Sequence, residues 1–433
     1  MMIRKRMLRF GAACAALGWA GAAAAAEPTS LADAITGGKL LLEVRGRYES
    51  VDQKRTAVLR EDGEAFTVRT HLGWETASWN GLKGLVEVAN VHRIGPEHFA
   101  VNVPGAATAP LNGADKARYP VINDPDTTEL NRLQVTWTPD KAFQATAGRQ
   151  RILIDDQRFV GNVGWRQDEQ TFDALRLDAT RGPLKLTYAY VVHVNRILGE
   201  KRDWDSDSHL ANLVWQAAPT LKLAAFAYVL DFQNSPANSS VTKGLKASGQ
   251  AKAGPLALAY NATYANQRDY RGNTAGYSLD YWGGDLAATY GIYTAKASFE
   301  SLEGNGQRGF TTPLATVHAF QGWADAFVQA AGGNKGFVDG IEDRNLSVIV
   351  RPKWKLGTVT KTELLVRYHD FDGQRTGAAL GHEWDAQLQA QLHPRLSAAL
   401  KYADFERATR VPAGAATPPP SRTKVWFTLE YRL

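Results

Sequence analysis

The last nine residues, Val425-Trp426-Phe427-Thr428-Leu429-Glu430-Tyr431-Arg432-Leu433, carry apolar side chains at every odd position and polar ones at every even position except Trp426. Successive side chains of a β-strand point to opposite faces, so this segment has one face for an oily phase and one for water. The pattern recurs. Leu40, Leu42, Val44 and Tyr48 oppose Glu43, Arg45, Arg47 and Glu49, and Phe66, Val68, Leu72 and Trp74 oppose Thr67, Arg69, His71 and Glu75. Further alternating segments lie at 82–91, 129–137, 143–150, 171–179, 184–195, 208–215, 221–232, 242–249, 256–265, 275–282, 292–301, 341–351, 361–371, 382–390, 396–405 and 423–433, which makes 18 in all. Short turn-rich connections such as Asn80-Gly81, Pro139-Asp140, Gly254-Pro255 and His393-Pro394 take turns with long ones at 49–64, 92–128, 151–170, 301–340 and 406–422. A soluble sandwich has no reason to sort its loops by length. The expected fold is therefore all-β: a single transmembrane antiparallel barrel of about 18 strands, with short periplasmic turns and long extracellular loops. An even strand count places both ends of the barrel on the periplasmic side.

The N-terminal stretch fits that reading. Arg4, Lys5, Arg6 and Arg9 precede an apolar run from Phe10 to Ala20 and the small residues Ala22 to Ala26, the layout of a secretory signal peptide. Cleavage after Ala26 would leave residues 27–433 as one barrel domain, free of cysteine because the sole one is Cys14. A secreted chain without disulfides must draw its stability from a large core or a closed barrel. Loss of the four signal cations also lowers the formal charge from +6 to +2, too little for a nucleic-acid-binding field. No later run has the roughly 18 apolar residues of a membrane helix. The 12 Trp, 15 Tyr and 16 Phe are spread along the chain, as interfacial girdles require.

One stretch departs from period two. From 314 to 328, Leu314, Val317, Phe320, Ala324, Phe327 and Val328 recur mostly at spacings of three and four, which predicts about one to four turns of helix within the loop 302–340, ended by Gly332-Gly333. The apolar residues Phe310, Leu314, Phe320, Trp323 and Phe327 predict that the loop 301–340 folds over or into the extracellular mouth, as does the long 92–128 loop.

No catalytic or metal constellation emerges. There is no Gly-x-Ser-x-Gly elbow and no histidine pair with zinc spacing, and Asp155-Asp156 are adjacent residues suited to a loop's hydrogen bonding. The reading is a non-enzyme with no cofactor and no metal. Parity instead sends Arg45, Arg47, Arg69, Lys83, Lys185, Arg367 and Lys401 inward, together with Glu43, Glu49, Glu75, Glu87, Asp178, Glu383 and Asp385. Rings of fixed charge select solutes, and arginine suits carboxylates because its planar fork binds them bidentately. Most of these charges could equally pair across neighbouring strands. The candidate pore residues are Arg45, Arg47, Arg69 and Arg367, with Glu43, Glu87 and Glu383 balancing the lumen.

The run from Gly148 to Ala174, with Arg149, Arg151, Asp155, Asp156, Arg158, Trp165 and Arg166, resembles the signature of the alginate-export outer-membrane porins. So do Asn195-Arg196-Ile197-Leu198-Gly199, the loop from Gly309 through His318 to Trp323 and Asp325, and Tyr368-His369-Asp370-Phe371. The resemblance implies an 18-stranded monomeric barrel whose electropositive, arginine-rich constriction passes an anionic polysaccharide. It implies a bacterial outer-membrane location, contact with lipid and lipopolysaccharide, and insertion by the barrel-assembly machinery, with no nucleic-acid partner. Parity from Phe143, Ala145 and Ala147 would put Arg149 and Arg151 on the lipid face. Either Gly148 starts a bulge that flips the register or these arginines lie above the membrane. The function expected is passive passage of anionic, alginate-like oligo- or polysaccharide. A general or small organic-acid porin is the alternative, ahead of an outer-membrane enzyme or an adhesive barrel.

Overall fold

The computed structural model describes residues 27–102, 109–328, 335–354 and 357–433. The expected signal peptide and Gly332-Gly333 lie outside them. Eighteen strands form one antiparallel sheet that closes on itself. They are β1 (Lys39–Gln53), β2 (Gly63–Glu75), β3 (Leu82–Arg93), β4 (Thr127–Asp140), β5 (Phe143–Gln150), β6 (Thr171–Arg181), β7 (Leu184–Asn195), β8 (Trp204–Ala218) and β9 (Leu221–Leu230), followed by nine more. The second half comprises β10 (Ser240–Ala253), β11 (Leu256–Asp269), β12 (Ser278–Tyr290), β13 (Tyr293–Leu302), β14 (Ile341–Val350), β15 (Thr360–Asp372), β16 (Ala379–His393), β17 (Leu396–Arg407) and β18 (Arg422–Arg432). Every expected segment is a strand. The largest boundary difference is at β12, which runs on to Tyr290 because Gly283-Gly284 interrupts the visible alternation without breaking the ladder to β13.

Closure comes from β1 pairing with β18, in register from Glu43 opposite Arg432 to Gln53 opposite Arg422. A closed sheet leaves no unpaired edge, which a strand in hydrocarbon could not tolerate. Leu72, Val86, Leu133, Val135, Leu245, Leu346 and Phe427 are exposed on the outer face, as a lipid-facing band requires. Trp137, Trp215, Tyr290 and Tyr293 are exposed beside the short turns and form the periplasmic girdle. A helix α1, Leu31–Thr36, capped by the Ser30 side chain, rests at the same rim, where Trp74 donates to the Ile35 carbonyl.

The extracellular half of the barrel is filled by its own loops. Ile152, Ile154, Val160, Phe310 and Leu314 pack against inward residues of β6 to β13, among them Phe172, Leu210, Phe226 and Tyr281. Trp323, Ala324 and Phe327 pack against Ile341, Phe371, Phe405 and Trp426. Phe99, Val101 and Ile122 pack against Val51, Ala65 and Leu198. The two loops expected to fold inward do so in their described parts, and the 151–170 loop joins them. Trp426, the residue that broke the alternation of β18, is an inward residue buried against loop Trp165.

The helix expected over 314–328 is not formed. One 3₁₀ turn covers Val317–Ala319, and of the rest only Val328, at the edge of the described residues, is helical. Gln321, Gly322 and Asp325 all have positive φ, near 56°, 82° and 55°, which breaks any continuous turn. The apolar residues serve two separate seats rather than one helix face: Leu314 joins one cluster and Phe327 another. Gly322 is required where it stands, since a Cβ there would meet the Glu383 carboxylate at about 2.4 Å.

Candidate functional site

The 151–170 loop hangs on the cations of β1 and the acids opposite them. Arg45 donates through Nε to Glu430 at 2.6 Å and through Nη1 to the Gly164 carbonyl at 3.0 Å. Arg47, buried, donates to the Trp165 carbonyl at 2.5 Å and lies 4.0 Å from the centroid of its ring. Arg69 pairs with Glu43. Arg166 reaches back to Glu49 at 3.0 Å, Asp124 at 3.7 Å and Asp325 at 3.3 Å. Burial works against its charge, but Glu49, Asp124 and Asp325 outweigh burial and raise its pKa. Gln167 donates to the Thr67 hydroxyl and carbonyl.

A second knot lies beside the first. His71, Glu87 and Glu169 bring possible ligand atoms within 4.8 Å of one another, the one such group among the described residues. Arg132 binds Glu87 in a two-pronged contact at 2.8 and 2.5 Å, Arg151 binds Glu169 at 2.6 Å, and Asn131 donates to both acids. Guanidinium groups already occupy these carboxylates, so the chemistry is that of a loop anchor. Burial alone would raise the Glu169 pKa; Arg151 reverses this and takes it down to about 2.

The 303–340 loop is pinned from β17. The buried Lys401 ammonium lies 3.6 Å from the ring centroid of Trp323 and 3.9 Å from that of Trp165, and 2.9 Å from His318 Nε2. An ammonium has no lone pair, so His318 Nε2 must accept, and Nδ1–H then donates to Asp325 at 2.7 Å. His318 stacks on Trp165 at 4.1 Å with 5° between the planes. Burial holds its pKa down to about 3 despite Asp325. The Trp323 and Ala324 amides donate to Asp385 and Glu383, and Lys424 holds Asp325 at 2.8 Å. Farther round the wall, Arg158 pairs with Glu300, donates to Thr312 at 3.0 Å and lies 4.8 Å from the Phe320 ring centroid.

These contacts stretch residues 317–321 across the lumen. An outer cavity of about 110 Å³ touches Val317, His318 and Asp325, and an inner one of about 120 Å³ touches Ala319, Phe320 and Gln321. The inner cavity shares Asp155, Asp156, Lys246, Asn261 and Asp285 with the periplasmic mouth, where Lys185 and Lys222 are exposed. Asp156 binds Lys246 at 2.6 Å and Asp155 accepts from Asn212 at 2.9 Å, so the two acids face different partners as loop residues do.

A model of the alginate export family matches residues 44–291, more than half of the chain. The chain belongs to the alginate export family. The fold is shared with outer-membrane porins of known structure. OpdK of Pseudomonas aeruginosa, solved with vanillate, superposes with a TM-score of 0.66 at 13% identity over 92% of this chain and 99% of that one. OpdO of the same organism gives 0.66 at 13% over 93% and 98%, and OccAB4 of Acinetobacter baumannii 0.66 at 13% over 92% and 98%. No curated protein matches the chain.

In this member of the alginate export family, the cations divide by what they already hold. Arg45, Arg47 and Arg69 point inward and are all engaged beneath the 151–170 loop, while Glu43, Glu87 and Glu383 each bind a cation or a loop amide. Arg367, Arg196 and Arg422 have no carboxylate within 4.0 Å among the described residues. Arg367 donates to Ser347 at 3.0 Å and lies 5.2 Å from the Trp323 centroid. Arg196 stacks on Trp204 at 3.8 Å, and burial brings its pKa down to about 10 against the pull of Asp203. Arg149 keeps its outward parity, with continuous register across β5, and is neutralised there by Asp173 at 2.8 Å and the Leu130 carbonyl at 3.0 Å. Asn195 donates to the same Asp173. Arg151 follows β5 and turns into the lumen, so the register flip is not used. Gly148, at φ 110°, accommodates the Leu133 carbonyl, which a Cβ would meet at 2.2 Å. Gln167, a neutral loop residue, and Arg422, one residue ahead of the expected segment 423–433 although it shares parity with Lys424, were not among the residues expected from sequence to line the pore.

Proposed function

We propose that this outer-membrane barrel passes carboxylate-bearing solutes, with anionic oligo- or polysaccharide as the leading class. The observation that supports this reading is the placement of uncompensated guanidinium groups. Arg196 and Arg422 border the outer cavity and Arg367 the inner one, so an anion meets an unneutralised cation on each side of the 317–321 stretch. In a narrow, low-dielectric passage such charges set selectivity. At the periplasmic mouth Lys185, Lys222 and Lys246 face Asp155, Asp156 and Asp285, so the charge there is balanced. Transport is passive and uses no cofactor, and the mature protein starts near Glu27 after removal of the signal segment.

A small organic-acid porin is the second reading, favoured by the size of the outer cavity, about 110 Å³. The vanillate-bound OpdK barrel shares the fold. The test is the reversal potential of refolded protein in planar bilayers under a KCl gradient. The expected result is a chloride preference that falls in an Arg196→Gln, Arg367→Gln, Arg422→Gln variant, with block of the wild type by added oligouronate. A cation preference in the wild type would remove the reading.

A further inference from the structure

We infer that the outer cavity is a binding site for a small amphiphilic monocarboxylate, one apolar ring or short chain bearing a single carboxylate. The inference rests on the anion-channel reading in its second form, the small organic-acid porin, and gives that form one site and one ligand chemistry.

The cationic end of the site is specific. Among the described residues, four cations border the cavity: Arg166, Arg196, Arg422 and Lys424. Arg166 and Lys424 are committed to Glu49 and Asp325. Among the described residues, the Arg422 guanidinium reaches only the Pro420 and Asp325 carbonyls, both at 3.5 Å, and the Arg196 guanidinium only the Trp204 ring. Two guanidinium forks therefore remain for a ligand, and a carboxylate is the anion whose geometry they match. Trp165 Nε1 is a buried donor without a partner on the same wall.

The remainder of the described wall is more apolar than polar. Val121, Val163, Ile197, Pro313, Val317 and Val328 face the cavity beside Asn123 and Gln170, and most of the apolar ones are only partly buried. An apolar body gains by covering such side chains, at roughly 25 cal/mol per Å². A uronate ring carries hydroxyls around its whole periphery, and against six apolar side chains the described polar lining, chiefly Asn123 and Gln170, replaces only part of their hydration. Size agrees. A cavity of about 150 Å³ holds benzene, so about 110 Å³, open to the outside, suits one ring and not a chain of them.

The test is isothermal titration of the full-length, detergent-refolded protein with sodium benzoate, sodium glucuronate and benzyl alcohol. Benzoate is expected to bind at least tenfold more tightly than either of the others. Arg196→Gln with Arg422→Gln should weaken benzoate at least tenfold, and Val317→Asn should weaken benzoate while leaving glucuronate unchanged. Folding of each variant is checked by its heat-modifiable band. The single variant Arg196→Gln, whose guanidinium holds no ion pair, serves if the double variant does not refold. Glucuronate binding as tightly as benzoate, no benzoate binding, or benzoate binding unchanged by loss of the guanidinium groups would each overturn the inference. A cation-preferring reversal potential alongside wild-type benzoate binding would instead overturn only the channel reading.

Discussion

Replacing Lys401 by Met should open the barrel. The ammonium touches both inserted loops, through Trp165 of one and Trp323 and His318 of the other. A desolvated cation over an aromatic face contributes about 2 kcal/mol, and there are two faces. The charged hydrogen bond to His318 adds about 1.5–3 kcal/mol. Against this, methionine keeps the volume, recovers roughly 0.3–1.5 kcal/mol of sulfur–aromatic contact and avoids burying a charge. A net loss of about 2–4 kcal/mol raises the population of the released loop between about thirtyfold and several hundredfold. In planar bilayers the expected result is larger or more frequent conductance steps than in the wild type. Limited proteolysis should also cut the 303–340 loop sooner. A Lys401→Met protein with wild-type circular dichroism, wild-type heat-modifiability and unchanged single-channel traces would refute the idea that this contact holds the lumen closed.

Three further outcomes follow from the same geometry. His318 has a pKa near 3 in the closed loop against the ordinary 6.5, so a released loop takes up its proton first; closure is fully stable above about pH 6.5 and weakens as pH falls toward 3. The facing Asp325, held well below the usual carboxylate range because His318, Lys424 and Arg166 outweigh burial, keeps its contribution until the pH drops below about 4. Conductance should therefore rise between pH 7 and 4 and flatten in His318→Gln, and a flat wild-type profile would contradict this. Arg158→Met leaves Glu300 buried without its cation and should cost about 3 kcal/mol, read as an earlier midpoint of the heat-modifiable transition; an unchanged midpoint would show that the pair contributes nothing net. Arg47→Glu should free the Trp165 carbonyl and loosen the 151–170 loop, so its main effect should be faster proteolysis of that loop, with reversal potential moving less than in the Arg196, Arg367 and Arg422 variants.

The barrel was legible in the chain because its physics is local. Each strand must divide its side chains between lipid and water, so alternation at Phe66–Glu75 or Val425–Leu433 is imposed residue by residue, and loop length reports which side of the membrane a turn faces. Irregularities in that code were also informative: Trp426 broke the pattern because a loop, not water, lies against it. Which inward cations stay available to a solute was decided by tertiary structure alone. Arg45, Arg47 and Arg367 are equivalent by parity. The 151–170 loop, far from β1 in sequence, brings the Gly164 and Trp165 carbonyls onto the first two and none onto Arg367. Arg196 stands in a family-like motif and Arg422 at the edge of a strand, but neither place tells whether the guanidinium is paired; both lack a carboxylate within 4.0 Å because the acids near them, Asp325 and Asp203, are turned toward Lys424, His318 and the Arg196 backbone amide. Facing is set by the two-residue period of a single strand. Charge pairing depends on which loop or strand the fold sets beside each cation, from 7 residues away for Arg196 and Asp203 to 119 for Arg45 and Gly164, and no two-residue period encodes that.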